Sequence, residues 1–376
     1  MKAVGVFPVE RRYEVIDHPE PAIGNGAAGA QQVKLRILEV GICGTDKEIV
    51  AFEYGNPPEG SHYLILGHES LGEVVEVGSG VTNLKPGDLA VPTVRRPCSV
   101  ASCIACRNGR QDFCFTGGFT ERGINGKHGF MAEYVVEDAM NINPVPRGIR
   151  DVAVLVEPLT IAEKGMAQLW TVQQRLPWTQ NEPGQPRGHG LRAVVLGGGP
   201  VGLLGAMKLI LEGFDTYIYS LSPPGSDLPG MAAGFGAKFV PAETTSVAQL
   251  AELVGNVDVV YEATGVSSLS YEVMKYLGTN GAFIFTGVPA LKGPKSIDAD
   301  LIMRNITLKN QVIIGTVNAN KQAFADAISD LGQFHQRWPN AVGSLITARF
   351  PIDDVKEPLS GKVGGIKSIL TVAAVA

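Results

Sequence analysis

Two hydrophobic patterns divide the chain. Up to about residue 160, short runs rich in β-branched residues end at Gly, Pro or Asn, as in VKLRILEVG (33–41) and LGEVVEVGSGV (71–81). Such runs predict strands. From about residue 161, IAEKGMAQLWTVQQRL has apolar residues at helical spacing, and a Pro/Gly-rich loop follows at 177–190. The pattern therefore predicts a β-rich first domain and a change of architecture near residue 160.

Strand and helix patterns alternate after that loop. AVVL leads into a glycine turn, an apolar helix to about Glu212 and the strand TYIYS, which together form a βαβ unit. The alternation continues through AKFV, DVVYEAT, a helix through VMKYL, AFIFTGV and QVIIGTV. The helix KQAFADAISDLGQF and short strands then return to the first domain. We predict an α/β fold, with a catalytic domain of residues 1–160 and 321–376 and a doubly wound dinucleotide-binding domain of residues 161–320.

Composition narrows the function classes. The 376 residues are 45% hydrophobic and 18% charged, which is typical of globular proteins. A net charge of −5 without a long basic run argues against nucleic acid as a partner. The N-terminus, MKAVGVFPVERRYEVIDHPE, carries charges where a signal peptide needs an apolar core, and no apolar stretch would span a bilayer. We expect no membrane association and a cytoplasmic protein whose thiols stay reduced.

Four of the five cysteines lie in one loop. Cys98, Cys103, Cys106 and Cys114 are separated by four, two and seven residues, which are mostly polar or small. In a reducing compartment this spacing predicts a closed, structural zinc site with four thiolate ligands. The alternatives are four unrelated thiols or a redox pair at Cys103 and Cys106.

The glycine turn predicts dinucleotide binding. Gly197, Gly199 and Gly202 fit G-x-G-x-x-G between a strand and a helix, with Pro200 and Val201 inside the motif. The glycines permit a tight turn, close approach of a pyrophosphate and close helix–strand packing, and the helix N-terminus attracts the phosphates. The alternative is an ordinary turn between strand and helix.

The end of the second strand bears on the choice of cofactor. NAD-specific domains usually carry Asp or Glu about 20 residues past the turn, whereas here the sequence has Ser220 and Ser222. No carboxylate would repel a 2′-phosphate, but no Lys or Arg occurs from Gly213 to Ala237. We favour NADP, with NAD as an alternative cofactor.

The fifth cysteine predicts a second metal site. Cys43 lies in GICGTD, and His68 follows in GHES. A thiolate and an imidazole from separate segments, completed by a carboxylate or water, are typical of a catalytic zinc site with an open position. Glu157, near the domain junction, and Glu69, next to His68, are the alternatives for a third protein ligand. Taken singly, His68 could be a core histidine and Cys43 a small buried residue.

These motifs carry a family resemblance. GICGTD, GHES, the clustered cysteines, GGGPVG and the glutamate of LVEPLT resemble the zinc-dependent medium-chain alcohol dehydrogenase superfamily. Within it, the chain most resembles the glucose dehydrogenase family of archaea and some bacteria, through RRPC…CRNGRQDFC, FTERGINGKHGFMAEYVV, LVEPLTIAEK and GTVNANKQAF. The resemblance covers nearly the whole chain and implies a GroES-like catalytic domain joined to a Rossmann domain.

The resemblance also implies roles for individual residues. Cys43, His68 and one of Glu69 or Glu157 would bind a catalytic zinc. The implied sugar site comprises Thr45, Glu69, Glu121, Glu157 and Asn318, and further candidate cofactor contacts are Thr264, Thr286 and Asn318. The chain departs from the family in the four residues between its first two loop cysteines, and in Leu221 and Ser222, where relatives that use NADP tend to carry Arg.

The expected reaction follows from this chemistry. Oxidising a hydroxyl requires removal of a proton, which zinc makes easier, and of a hydride, which the nicotinamide accepts. Thr45 is either a proton relay or an ordinary cap of the following turn. We expect an aldose 1-dehydrogenase that converts glucose or a close relative to the lactone and forms a homodimer or homotetramer, as is common in the family. The alternatives are a zinc-dependent polyol or amino-alcohol dehydrogenase of the sorbitol or threonine type, and a non-catalytic nucleotide-binding protein.

Overall fold

The computed structural model describes residues 1–177, 184–222, 227–361 and 363–373. Residues 178–183 of the predicted loop at 177–190 lie outside the described residues. The chain forms two compact units, one of residues 1–160, 318–335 and 345–376 and the other of residues 161–317 and 336–344. The predicted domains differ from these units at 318–320 and 336–344. The second of these segments groups with the later unit because Trp338 packs on Phe235, with ring centroids 6.2 Å apart.

The strands are numbered in chain order. They are β1 (Lys2–Phe7), β2 (Arg12–Asp17), β3 (Gln32–Gly41), β4 (Leu64–Ile65), β5 (Glu69–Val77), β6 (Leu89–Pro92), β7 (Arg95–Arg96), β8 (Thr120–Arg122), β9 (Gly126–Lys127), β10 (Tyr134–Asp138), β11 (Ile142–Val145), β12 (Arg192–Leu196), β13 (Asp215–Ser220), β14 (Lys238–Pro241), β15 (Val257–Glu262), β16 (Leu277–Phe285), β17 (Val312–Gly315), β18 (Ile346–Pro351) and β19 (Lys367–Thr371).

The α-helices are numbered in the same way. They are α1 (Gly44–Val50), α2 (Ile104–Arg107), α3 (Val156–Gln173), α4 (Pro200–Leu211), α5 (Leu228–Gly234), α6 (Val247–Val254), α7 (Ser267–Met274), α8 (Ala299–Leu308), α9 (Lys321–Arg337), α10 (Pro339–Ser344) and α11 (Lys356–Leu359). None of the helices in the described ranges is long and apolar enough to cross a membrane.

The first unit is built on a mixed sheet. Its strands run in the order β11-β6-β5-β3-β19-β18, and β10 also pairs with β3. Strand β3 is the centre of this sheet: its interior positions, such as Leu35 and Ile37, are fully buried. Strand β19, from the C-terminal part of the chain, pairs antiparallel with the end of β3. This pairing brings residues far apart in sequence to one end of β3.

The second unit is the predicted doubly wound sheet. Six parallel strands run in the order β14-β13-β12-β15-β16-β17, so the order reverses after β12. Val194 and Val260 from the sheet pack against Leu250, Val273 and other apolar residues of the helices on one face. The α/β prediction is therefore confirmed, and the carboxyl end of β12 lies at the switch point where such sheets bind nucleotides.

Several helix limits differ from the prediction. The helix expected from residue 161 is α3, which begins at Val156, so it includes Glu157 in its first turn. The helix expected through VMKYL ends at Met274, and Leu277 already begins β16. The pattern also missed α6, whose start is fixed by a capping box in which Ser246 and Gln249 satisfy each other's backbone N–H groups.

Candidate functional site

The register around Gly41 assembles the first site. Gly41, the last residue of β3, pairs with Glu69 on β5 and with Ile369 on β19. Cys43 lies two residues beyond Gly41, and Lys367 lies two residues before Ile369. A Cβ atom at Gly41 would collide with the carboxylate of Glu69, so glycine is needed for the side chain of Glu69 to lie across the end of β3.

A second glycine directs His68 into the same place. Gly67 has φ +91°, and a Cβ there would meet Met131 and Val40 at less than 3 Å. Only glycine adopts this conformation without strain and fits this space. The chain therefore enters β5 with His68 buried beside Cys43.

The structure brings three predicted zinc ligands together. One ligand atom each from Cys43, His68 and Glu69 lie within 4.8 Å of one another. His68 and Glu69 are only 5% and 1% exposed, whereas Cys43 is half-buried. A half-buried thiol with a buried imidazole and carboxylate at this spacing matches the donor set of a catalytic zinc site.

Two further charged groups surround this set. Asp46, completely buried, accepts a hydrogen bond from the Cys43 backbone N–H at 2.8 Å and lies 3.7 Å from His68 Nδ1. Lys367, 2% exposed, forms an ion pair with Glu69, and its Nζ donates to the carbonyl of Ile42 at 3.0 Å. These contacts orient the candidate ligands, as outer-shell groups do in metal sites.

The electrostatics of this cluster suit a cation. Burial by itself lowers the pKa of His68, but Asp46, Cys43 and Glu157 together raise it well above its ordinary value. Burial raises the pKa of Asp46 and, against the attraction of His68, that of Glu157 to about 7. The site thus crowds several acidic groups in a buried place, where a bound cation would favour their ionised forms.

The chemistry of the donor set tests whether a metal fits. Asp46 Oδ1 and His68 Nδ1 make no hydrogen bond to a described residue but face each other at 3.7 Å, so they form a charged pair beside the candidate ligands. The thiol, imidazole and carboxylate of Cys43, His68 and Glu69, with His68 and Glu69 buried, fit a zinc ion.

Glu157 and Thr45 lie at the borders of this cluster. Glu157, 9% exposed, interacts electrostatically with His68 and Glu69 but is not one of the three groups whose ligand atoms lie within 4.8 Å. Thr45 is half-buried at the second residue of α1, directly after Cys43 and Gly44. Glu69 is therefore the carboxylate that converges with Cys43 and His68, whereas the choice of Glu69 or Glu157 as the zinc ligand and the role of Thr45 stay predictions.

The four-cysteine loop also converges. Ligand atoms of Cys98, Cys103, Cys106 and Cys114 lie within 4.8 Å of one another, and all four thiols are free. Burial raises the pKa of Cys106 to about 12. Burial acts in the same direction on Cys114, but Thr116 and the other thiols lower its pKa to about 6. Four thiols that share so little space fit a single metal ion better than a redox pair.

Two predicted sugar-site residues contact each other. Asn318 Nδ2 donates to Glu121 Oε1 at 2.9 Å, although the two residues are far apart in sequence. Glu121 is 5% exposed and begins a turn in which Gly123 packs against the backbone of Gly67, next to His68. The second carboxylate oxygen of Glu121 receives no hydrogen bond from any described residue.

The predicted cofactor turn has the required shape. Gly197 follows β12 with φ +108°, and a Cβ there would crowd Thr264. A Cβ at Gly199 would meet nothing within 4 Å, so this backbone is open to a ligand, whereas one at Gly202 would collide with Gly197. Pro200 and Val201 then begin α4, whose N-terminal N–H groups face the turn.

The neighbouring strand ends complete this edge of the sheet. Ser220 Oγ accepts from the Gly198 N–H at 2.9 Å. Glu262 is completely buried, and its Oε1 accepts from the Thr264 hydroxyl at 2.6 Å, while its carbonyl accepts from the Thr286 hydroxyl at 2.6 Å. The predicted contacts in this unit therefore surround one edge. Asn318 belongs to the other unit, so its role as a cofactor contact stays a prediction.

Four charged residues of these sites were not predicted from the sequence. Asp46 and Lys367 flank the candidate zinc ligands, and Arg95 contacts Glu121 at 3.0 Å. Glu243 accepts a hydrogen bond from the backbone N–H of Ser222, so a carboxylate does lie at the end of β13. The Asp in GICGTD, three residues after Cys43, was a usable signal; the other three depend on tertiary contacts.

Comparison with known proteins gives consistent family matches. Residues 29–147 match the alcohol dehydrogenase GroES-like domain, and residues 150–372 match the family described as glucose dehydrogenase C-terminus. The chain is 37% identical to glucose 1-dehydrogenase of Methanocella arvoryzae over 377 positions that cover 100% of both chains. It is also 37% identical to glucose 1-dehydrogenase of Thermoproteus tenax, with 99% of each chain covered.

A solved structure extends these matches to the whole fold. Glucose dehydrogenase of Haloferax mediterranei, in complex with NADP, Zn and gluconolactone, superposes with a TM-score of 0.84 at 28% identity, with 100% of both chains covered. The match confirms the GroES-like and Rossmann components inferred from the motifs. The chain therefore belongs to the glucose dehydrogenase family of the medium-chain dehydrogenases.

Proposed function

We propose that this protein oxidises glucose or a closely related aldose at C1 to the lactone and transfers the hydride to NADP. The convergence of Cys43, His68 and Glu69 in one buried site carries the proposal. Relatives at 37% identity are named glucose 1-dehydrogenases, and the Haloferax enzyme binds NADP, Zn and gluconolactone. These similarities support the same substrate class and cofactors here.

The catalytic zinc would be held by Cys43, His68 and Glu69, with Glu157 as an exchanging ligand. When bound, zinc acts as a Lewis acid that lowers the pKa of a substrate hydroxyl. Asp46 contacts His68, and Lys367 forms an ion pair with Glu69. These contacts would fix the positions of the two ligands before substrate binds. The hydroxyl of Thr45, at the second residue of α1, would move the substrate proton towards solvent.

A second zinc would close the cysteine loop. Cys98, Cys103, Cys106 and Cys114 offer four thiolate ligands and leave no position for a substrate. The role of this ion would be structural, because the loop itself offers few buried apolar groups: Val100, Ile104, Phe113 and Phe115 are all exposed. The free thiols of this loop also support a reducing, cytoplasmic location.

NADP would bind at the edge formed by the glycine turn. Gly197, Gly199 and Gly202 leave room for the pyrophosphate, and Ser220 and Ser222 lie where the ribose 2′-phosphate is expected. The carboxylate of Glu243 at Ser222 opposes a phosphate there, which keeps NAD as the alternative. We expect Glu243→Gln to lower the KM for NADP by about threefold to tenfold, through loss of one repulsive charge, without improving the KM for NAD.

The protein would act as a homodimer or homotetramer. Strand β17 is an edge strand of the parallel sheet. Ile313 on it and Met303 and Leu308 on α8 are exposed, at 38%, 67% and 64%. An unpaired edge with apolar neighbours can pair with a second copy across a two-fold axis, and sedimentation measurements test this.

The decisive experiment measures nicotinamide reduction with a panel of substrates. Glucose, galactose, xylose, sorbitol, threonine and ethanol would each be tested with NADP and with NAD, before and after treatment with a chelator. Chelator-sensitive turnover of aldoses with NADP is expected. Turnover of only sorbitol, threonine or ethanol would replace the aldose assignment with a polyol or alcohol dehydrogenase, and no turnover would favour a non-catalytic nucleotide-binding protein.

A further inference from the structure

We infer that Arg95 is a positioning residue for the sugar-binding carboxylate: it holds one oxygen of Glu121 and leaves the other free to accept a sugar hydroxyl. The inference rests on the proposed function, because it assumes that Glu121 contacts the aldose. Arg95, to which the family resemblance gave no role, is thereby added to the sugar site, and the two oxygens of Glu121 have different tasks.

The hydrogen bonds to Glu121 converge on one atom. Arg95 and Glu121 are paired residues of β7 and β8. Arg95 Nε and Nη2 both lie 3.0 Å from Glu121 Oε1, and Asn318 Nδ2 donates to the same Oε1 at 2.9 Å. Oε2 has no donor anywhere in the described ranges of the chain. Two hydrogen bonds, from Arg95 Nε and Asn318 Nδ2, and the ion-pair contact of Arg95 Nη2 therefore hold the carboxylate, while its second oxygen keeps its capacity to accept a hydrogen bond.

The guanidinium of Arg95 is itself held in place. It is 6% exposed, lies 3.8 Å from the centroid of the Phe119 ring, and donates from Nη1 to the carbonyl of Asp112 at 3.4 Å. Asp112 belongs to the cysteine loop, where Arg110 binds its carboxylate through two hydrogen bonds of 3.0 Å. Arg95 thus contacts both Glu121 and the cysteine loop, so the position of this loop affects the orientation of Glu121.

Asn318 completes the support rather than offering a free amide. It has a positive φ of 59°, its Oδ1 accepts from the N–H of Ala319 at 2.8 Å, and its Nδ2 donates to Glu121. Asparagine tolerates this conformation better than most residues. Each end of the side chain already makes one hydrogen bond within the protein, whereas Glu121 Oε2 is an acceptor that no described residue fills.

Arg95→Lys tests the inference because lysine keeps the charge but loses the paired N–H groups of the guanidinium. The matched control is Arg96→Lys: Arg96 is the next residue, is also 6% exposed, and binds Glu137 instead of Glu121. Asn318→Gly removes the amide that donates to Glu121, and glycine tolerates the positive φ at this position. Kinetics would be measured with glucose and with the deoxyglucoses that each lack one hydroxyl, together with calorimetric binding of gluconolactone and thermal unfolding.

We expect Arg95→Lys to raise the KM for glucose by about tenfold to a hundredfold, with the KM for NADP unchanged, since a charge-assisted hydrogen bond is lost. The wild-type protein should discriminate strongly against one deoxyglucose, the one lacking the hydroxyl that Glu121 accepts. That discrimination should shrink in Arg95→Lys, in Asn318→Gly and in the reference variant Glu121→Gln, but not in Arg96→Lys. Gluconolactone binding should weaken in the same three variants.

Three results would overturn the inference. Wild-type-like discrimination in Arg95→Lys would show that Arg95 does not position Glu121, and an equal loss in Arg96→Lys would reduce both arginines to structural roles. If Arg95→Lys does not fold, wild-type-like discrimination in Asn318→Gly contradicts the inference on its own. The absence of aldose turnover in the wild type would refute the proposed function itself, which is a distinct result.

Discussion

The two cysteine sites differ in how the chain assembles them. The loop gathers its four thiols from residues 98–114, a single short segment. The Cys43 site gathers its groups from the end of β3, the start of β5 and the start of β19. The first site can therefore form by local closure around a metal, whereas the second exists only after the central sheet of the first unit is in register.

Their charges differ as well. The four candidate ligands of the loop are all thiols, without a histidine or carboxylate, and three of them are half-buried. The Cys43 site combines a thiol and an imidazole with the buried groups Asp46, Glu69 and Lys367. We conclude that metal should stabilise the loop, whereas the fold should hold the Cys43 site ready for metal. Four substitutions test this contrast.

The largest effect is expected from His68→Ala. Loss of the imidazole removes one of three protein ligands, and metal-assisted catalysis is worth several kcal/mol. We expect turnover of glucose to fall by more than about a thousandfold, zinc content to fall from two ions per chain to one, and the unfolding midpoint to change little. Zinc analysis, kinetics and thermal unfolding check this, and a variant that keeps two zinc ions and turns over glucose would contradict it.

Cys106→Ser should show the opposite pattern. Serine is a poor zinc ligand, so the loop should lose its metal while the Cys43 site keeps its own. We expect one zinc ion per chain, proteolytic cleavage within residues 98–114, and a loss of stability of about 2–5 kcal/mol, because the loop has little apolar burial of its own. An unchanged cleavage pattern would mean that the loop is held by packing rather than by metal.

Asp46→Asn tests how zinc binding at the Cys43 site depends on pH. Despite burial, Asp46 and its acidic neighbours raise the pKa of His68, so protons compete with zinc for His68 more strongly than for an ordinary histidine. Zinc affinity at this site should therefore fall as pH falls. The variant should bind zinc about tenfold to a hundredfold more weakly at high pH, with a shallower pH dependence because the pKa of His68 drops. Chelator competition between about pH 6 and pH 9 measures both, with Asp112→Asn as an acidic control in the loop.

The smallest effect concerns Glu157 in the metal-free protein. Its folded pKa of about 7 lies above its ordinary value of 4.5. Between these values the unfolded chain is ionised while the folded carboxyl keeps its proton, so rising pH lowers stability across this window. Glu157→Gln should therefore stabilise the chelated protein at pH 8 by about 1–2 kcal/mol and much less at pH 5. Urea unfolding at both pH values would contradict this if wild type and variant kept a constant difference.

The chain's own pattern predicted the parts that depend on short segments. The spacing of the four cysteines, the glycines at 197, 199 and 202, and the alternation of strands and helices each lie within about 30 residues. Local backbone geometry and the spacing of apolar residues decide such features, so they can be predicted before the fold is known. The family resemblance then linked Cys43, His68 and the glutamates to chemistry that spacing alone left open.

Other features required the folded chain. Only the pairing of β3 with β5 and β19 brings Lys367 to Glu69, and only the pairing of β7 with β8 places Arg95 on Glu121. Likewise, the sequence showed no carboxylate in YSLSPPGS (219–226), whereas the fold brings Glu243 to Ser222 from beyond the next strand. The types of ligand and the position of the cofactor turn could be predicted from the sequence because each is determined by a short contiguous segment. Apart from Asp46 in GICGTD, the charges that surround them could not be predicted, because strand register joins residues that no local pattern connects.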